Sequence, residues 1–236
     1  TSVMRSLAHV REISTSALEM LIDKDAADAG WVAETAEREE TRTPELAKIR
    51  IPVHEMYARP RATQKLLEDA SLNVEEWLSQ KIAQKMATME NTAFLRGDGN
   101  NKPKGILDYE TTSKEHWTWG RLEEIKTGVD GAFHDGHAAE TLLMLFYSLK
   151  PAYLPGASWL MSRHTQGVLR TLKDPDNHQY LWQPPLAGMS TSTLLGYPVI
   201  ICDDMPSLAR DTASKSILFG NFKEGYQIVD RTGTRV

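Results

Sequence analysis

The chain has 236 residues, 41% of them hydrophobic and 25% charged, with a formal net charge of −5. That length suits one large domain or two small ones, and the acidic balance excludes a global basic field drawing the chain onto nucleic acid. A single cysteine, Cys202, excludes an internal disulfide framework and a multi-cysteine zinc site, and the longest apolar run, "LLMLFYSL" at 142–149, falls far short of the roughly 18 residues of a membrane span.

The start, "TSVMRSLAHV", has neither an initiator Met nor an apolar signal core, and the end, "YQIVDRTGTRV", follows a strand-like stretch directly. The expectation is a processed or shortened chain. Residues 3–22 read as extended, because "VREISTSALEMLID" mixes β-branched and apolar residues without a helical period. Residues 24–46 are polar and small, with Glu34, Glu37, Glu39, Glu40 and Glu45 against Arg38 and Arg42. In "AKIRIPVHEMYARPRAT", Ile49, Ile51 and Val53 alternate with polar neighbours, which is a strand pattern that Pro52 confines to an edge or bulge. Two long strands joined by an acidic excursion without a core make a hairpin projecting from a domain.

A long helix is expected over 73–95. Ser71 or Asn73 can cap it, and Glu75 and Glu76 suit the positive end of its dipole. Val74, Leu78, Ile82, Met86 and Met89 recur at helical spacing, and Gly97 is a stop signal. The stretch "AFLRGDGNNKPKGIL" (93–107) looks like a phosphate or metal loop, but it follows the C-terminus of a helix, where carbonyls repel anions. Ile106 stands where a Walker loop needs Lys, and Pro103 and Tyr109 break the EF-hand pattern. The stretch is a structural turn built on Gly97, Asp98, Gly99, Pro103 and Gly105, with Gly97 and Gly99 supplying positive φ and Pro103 stiffening the exit.

Further on, "WTWGRLEEIKTGVDGAF" (117–133) reads as a short helix broken by glycines, and "AAETLLMLFYSLKPAYLPG" as an amphipathic helix ending near Pro151. "SWLMSR" (158–163) is a strand, "HTQGVLRTLKD" (164–174) a helix, "LLGYPVIICDDMP" (194–206) contains a buried strand, and "SILFGNFKEGYQIVD" (216–230) gives two more around Gly220–Gly225. The irregular alternation points to α+β.

No constellation for catalysis converges. "HDGH" (134–137) brings two histidines together, but Gly136 disfavours a helical pair and no third ligand is near in sequence. Cys202 lies in an apolar strand, which suits packing. Asp203 and Asp204 would point to opposite faces if the strand continues. Trp117 and Trp119 have no basic stripe beside them.

The order of motifs is more specific than any one of them. "GWVAETAEREET", "IPVHEMYARPRATQKLLEDA", the long helix with "FLRGDGNNKPKGIL", then "SWLMSRHTQGVLRTLKDPDNHQYLW", "LLGYPVIICDDMP" and "ILFGNFKEGYQIVDR" together resemble the major capsid protein of tailed bacteriophages, in its gene-transfer-agent and alphaproteobacterial-prophage branch. The resemblance implies an HK97-like capsid fold: a P-domain strand at 1–9, a long E-loop β-hairpin at 10–60, P-domain residues 61–106 with a spine helix at 73–95, an A-domain at 107–215, and return strands at 216–236. It implies that the E-loop tip (Trp31, Glu34, Glu37, Arg38, Glu39, Glu40, Arg42) contacts a neighbouring subunit, with Arg59, Arg61 and Lys65 as its partners there. It places Gln183, Pro184, Pro185, Leu186 and Gly188 in a loop at the capsomer axis.

The function so implied is a shell protein that self-assembles into pentamers and hexamers of an icosahedral-type head around double-stranded DNA, without enzyme activity, metal or cofactor. Non-specifically packaged DNA, a portal, a scaffold or a maturation protease are the implied partners, with no membrane. The implied location is the virion, after assembly in the bacterial host cytoplasm. "AETAEREETRTPE" lacks a Lys, so no isopeptide cross-link is expected there. An encapsulin-like shell holding cargo, and a small hydrolase using His134 or His137, are the alternatives.

Overall fold

The computed structural model describes residues 2–23, 46–60, 74–134, 136–173, 178–182, 192–209 and 211–232. The chain divides into two units, one of Thr1–Val10 with His54–Ile228 and one of Arg11–Val53 with Val229–Val236.

The larger unit is organised by a short run, Ser158–Met161, here β8, whose four residues are all buried. Successive side chains on a strand point to opposite faces, so a strand buried on both faces needs a core on each. Trp159 and Met161 pack in a cluster with Leu142, Leu169, Leu194 and Val199. Leu160 packs in another, with Met4, Ala8, Phe94, Leu95, Ile106, Cys202, Met205, Phe222, Tyr226 and Ile228. The strand pairs in parallel with β10 (Tyr197–Ile201), Val199 opposite Trp159, and antiparallel with β11 (Ile217–Gly220), Phe219 opposite Trp159. A short edge strand, β9 (Thr193–Leu194), completes a mixed sheet of order β11-β8-β10-β9.

Two helices cover the Trp159 face. The first, α3 (Ala138–Ser148), lays Leu142, Leu145 and Phe146 into that cluster. The second, α4 (Arg163–Thr171), is capped by Ser162, whose Oγ accepts from the Thr165 N–H at 3.2 Å, and it buries Leu169.

The Leu160 face meets the end of the long helix α2, which runs Val74–Arg96. Its bounds agree with the periodicity to within a residue, but its packing does not. At 100° per residue, Val74, Leu78, Ile82 and Met86 share one side, and all four are half-buried. The residues that enter the core, Asn91, Phe94 and Leu95, lie on nearly the opposite side. Met89, on the first side, is 47% exposed.

Residues 3–7, expected to be extended within a strand at 1–9, form a helix, α1 (Val3–Leu7), and the strand β1 begins at His9 and runs to Ile13. Five residues are too few for a period to be legible, and tertiary bonds decide the matter. The Asn91 Oδ1 accepts from the Ser2 hydroxyl at 2.9 Å and from the Met4 N–H at 3.1 Å. Its Nδ2 donates to the Asp204 carboxylate and lies 3.2 Å from the Cys202 Sγ. Arg5 pairs with Glu90 through two nitrogens and sits over the Phe94 ring.

The expected helix in 117–133 is absent. That stretch holds the two-residue strands β5 (Leu122–Glu123), β6 (Gly128–Val129) and β7 (Ala132–Phe133), after β4 (Thr111–Thr112). Gly120, Gly128 and Gly131 all have positive φ, which turns the chain three times between residues 120 and 131 and leaves no room for a helix. A one-turn helix, α5 (Phe222–Gly225), separates β11 from β12 (Gln227–Arg231). Among the described residues, no helix is long and apolar enough to cross a membrane.

The smaller unit contains a two-stranded ribbon. Strand β2 (Ala17–Asp23) pairs antiparallel with β3 (Leu46–Pro52), from Ala17 opposite Pro52 to Asp23 opposite Leu46. The Val53 N–H extends the ladder to the Ser16 carbonyl at 3.1 Å. Pro52 is the last residue of β3, on a strand that among the described residues is paired on one edge, where a missing donor is tolerated.

Replacing Asn91 with Ala strands the Ser2 hydroxyl, the Met4 N–H and the Asp204 carboxylate together. Asn91→Ala is expected to cost about 2–4 kcal/mol in denaturant unfolding, against under about 1 kcal/mol for Thr92→Ala, whose exposed hydroxyl also reaches Asp204.

Candidate assembly site

The glycine-rich turn after α2 is fully described, and it is a lock. The Gly97 N–H continues the helix to the Ala93 carbonyl, and the Gly105 N–H returns to the Gly97 carbonyl, each at 2.8 Å. Asp98 and Lys104 face each other as an antiparallel bridge. A Cβ on Gly97 would lie 1.9 Å from the Pro103 oxygen, and one on Gly105 would lie 2.4 Å from the Leu95 carbonyl carbon. Gly99 has a φ of +76°, as expected, whereas Gly97 does not have a positive φ. Gly97 is required for space.

Other elements hold the lock. The Tyr226 hydroxyl donates to the Lys104 carbonyl at 2.7 Å, and its ring meets Phe94 edge-on. Burial raises the Tyr226 phenol well above the ordinary tyrosine value, which keeps this donor protonated. The Lys215 ammonium donates to the Leu107 and Tyr109 carbonyls at 2.7 and 2.9 Å. The Asn100 N–H, with Lys102 next to it, holds the Asp98 carboxyl below its ordinary value. Asp98 is thus occupied in the turn itself.

The remaining polar candidates do not gather into a centre. The His134 and His137 rings lie 5.2 Å apart, and the His137 Nδ1 is 2.8 Å from the Glu140 carboxylate. Cys202 is buried, and β10 ends before it, at Ile201. The strand therefore does not continue through Asp203 and Asp204, and the opposite-face arrangement that its continuation would give does not arise. A turn closes instead from the Met205 N–H to the Cys202 carbonyl, and Asp204 bonds Asn91 and Thr92. No group of three His, Cys, Asp or Glu able to hold a metal ion occurs among the described residues.

Of the expected contact residues, Trp31, Glu34, Glu37, Arg38, Glu39, Glu40 and Arg42 lie outside the described residues, as do Arg61, Lys65, Gln183, Pro184, Pro185, Leu186 and Gly188. Arg59 is described and exposed. What the structure brings together instead is the ribbon below the tip. Leu18, Met20 and Ile22 of β2 stand opposite Ile51, Ile49 and Ala47 of β3, so one face carries six apolar side chains. The other face holds Glu19 and Lys48, paired at 2.7 Å, with Arg50 opposite Glu19. Near its distal end are Leu21 and Leu46, 65% and 64% exposed. The alternation of Ile49 and Ile51 points to a strand, but not to Leu18, Met20 and Ile22 standing opposite it. The alternation in "LEMLI" and "LAKIRI" carries the signal once the register is known.

The model of the phage capsid family matches residues 1–236. The chain belongs to that family. The capsid of an empty GTA particle, with C5 symmetry, superposes with a TM-score of 0.88 at 38% identity over 99% of this chain and 78% of that one. The corresponding protein of Microbacterium phage Oxtober96 matches at TM-score 0.63 and 14% identity, over 94% of this chain and 70% of its own, which shows the fold alone. The major capsid protein of Escherichia phage T5 is 31% identical over 110 residues, which are 44% of this chain and 24% of that protein's length. The fold is the HK97-like capsid fold, mixed in helix and strand, and the protein is a structural, shell-forming capsid protein of the phage or gene-transfer-agent type, not an enzyme.

The glycine lock yields a graded expectation for this capsid protein. Gly97→Ala and Gly105→Ala, which drive a methyl into backbone, should each cost about 3 kcal/mol or more. Gly99→Ala, whose Cβ would meet only Lys104 at 3.4 Å, should cost about 1–2 kcal/mol, from its φ alone. Chemical denaturation of the three variants checks the order.

Proposed function

We propose that this capsid protein closes a head of pentamers and hexamers around double-stranded DNA, with its β2–β3 ribbon lying across a neighbouring copy. The single observation that carries this reading is the ribbon. Two strands alone are marginal in water, and a hairpin becomes stable when a further strand or a packed face completes it. Among the described residues β2 and β3 pair only with each other, yet they present six apolar side chains on one side and two exposed leucines on the other. A second copy is the partner such a ribbon meets in a protein that builds a shell from itself.

The acidic tip is assigned register. Glu34, Glu37, Glu39 and Glu40 would face Arg59, Arg61 and Lys65 of the neighbour, and Gln183–Gly188 would line the capsomer axis. Rim pairs of this kind steer and align more than they bind. The overall charge of −5 suits DNA that is packaged without sequence preference and must later leave, since tight neutralisation of phosphates would hold it. Assembly in the bacterial cytoplasm, with a portal, a scaffold or a maturation protease, completes this reading.

Ile49→Asp places a charge in the ribbon's apolar face. It should abolish closed particles in negative-stain microscopy, while the unfolding of the larger unit changes by no more than about 0.5 kcal/mol. Particles at wild-type yield would refute the ribbon contact. Charge reversal at Glu39 and Glu40 should instead shift the salt dependence of assembly, followed by light scattering, without abolishing it. Extracting the particle contents separates a DNA head from a cargo shell.

A further inference from the structure

We propose that the outward face of α3, formed by Leu143, Met144 and Tyr147, docks on a second copy of this chain. This rests on the shell reading above and names a contact separate from the ribbon. An amphipathic surface helix carries apolar residues on one stripe and polar ones opposite. The α3 sequence, "AAETLLMLFYS", does not follow that rule. Leu142, Leu145 and Phe146 face the Trp159 cluster. About 150° round the helix, Leu143, Met144 and Tyr147 point away from it, 40%, 61% and 75% exposed. A helix that carries large apolar residues on two opposite sides is built to have both covered, and the lone subunit covers one.

A second observation extends this surface. Tyr147 stacks edge-on against Phe146 at 5.0 Å, and Phe146 meets Tyr197 at 5.5 Å, so a chain of rings runs from α3 to the start of β10. The two-residue turn before Tyr197 is Leu195–Gly196, with φ of 51° and 84°. Such a turn favours Asn-Gly, and a leucine is strained in the left-handed region. This leucine is also 43% exposed. An exposed leucine held in the left-handed region, two residues before the ring chain at Tyr197, is a second apolar group the lone subunit leaves in water.

The chemistry of the face selects the occupant. Residues 138–148 contain no lysine or arginine, so nothing there meets a phosphate backbone. The one charge on that side, Glu140, is held by His137 at 2.8 Å. A largely apolar face whose one charge is acidic fits a protein surface better than a phosphate backbone. In a ring such as the C5 arrangement of the GTA capsid, each copy meets the next through two unlike surfaces, so a face left open on one copy recurs on every copy and is closed by the next.

The test is thiol labelling of Tyr147→Cys in the full chain, using a maleimide. Cys202 is buried, so the introduced thiol is the one that reacts. Labelling should be fast in dissociated subunits and at least about tenfold slower in assembled particles, empty or filled. In parallel, Met144→Asp should lose particles while its circular dichroism and unfolding midpoint stay at wild-type values. Equal labelling rates in subunits and particles overturn the proposal and leave the shell reading intact. Protection confined to DNA-filled particles also overturns it. A wild-type chain that remains monomeric at every concentration overturns both readings.

Discussion

Strand β8 has no side that faces water, and the larger unit of this capsid protein is arranged around that constraint. Four residues cannot bury both faces by themselves. They need α3 and α4 on the Trp159 side and the end of α2, with α1 and α5, on the Leu160 side. The backbone of β8 must also be paired on both edges, because an unpaired buried N–H or carbonyl costs about as much as a lost hydrogen bond. β10 supplies one edge in parallel and β11 the other antiparallel, which is why the sheet is mixed. The two clusters are thus mechanically one body, since a shift of Leu160 moves Trp159 and Met161 with it.

This arrangement determines what a reader of the sequence could find. The run "SWLM" was legible because a strand covered on both faces is apolar without alternation, and "YPVII", its partially covered neighbour, because it is a short, mostly apolar, β-branched run. Of the ribbon strands, β3 was legible because it is half-buried and alternates, and β2 because its apolar and β-branched residues show no helical period. The long helix was legible in extent and not in contact. Its stripe of Val74, Leu78, Ile82 and Met86 suggests one continuous packing face, but the core takes Asn91, Phe94 and Leu95 from the opposite side. A periodicity count adds both ends of a helix into one signal and cannot register a change of partner along its length. The decisive residue there is polar: Asn91 is buried because it satisfies groups on α1 and after β10, a role invisible until those segments meet.

The glycines divide in the same way. Gly99 could be read from the left-handed conformation that a tight turn demands. Gly97 and Gly105 could be flagged as turn residues, but their cause is different. Each backbone passes so close to another strand of chain that a single methyl would overlap a carbonyl group. Close approach is a tertiary fact, and no local rule anticipates it. The stretch 117–133 differs for the converse reason: its glycines were expected to break a short helix, and with positive φ at Gly120, Gly128 and Gly131 they leave none.

Charge drew the eye to the hairpin tip, but magnitudes favour the ribbon beneath it. An exposed ion pair contributes about 0–1 kcal/mol, and less as salt rises. Burying one leucine, isoleucine or methionine side chain contributes about 1.5–3 kcal/mol. Five of the six side chains on the apolar face are of that kind, and they are already half-covered or better, so each can gain only a fraction of the full value. Even a third of it, summed along the ribbon, rivals several ideal ion pairs. Leu21 and Leu46, still mostly in water, add a larger share each. Under the proposed contact, the acidic tip would choose where the arm lies and the apolar ribbon would decide whether it stays. A shell held in that way would tolerate changes of ionic strength while remaining sensitive to any polar atom placed in the ribbon's apolar face.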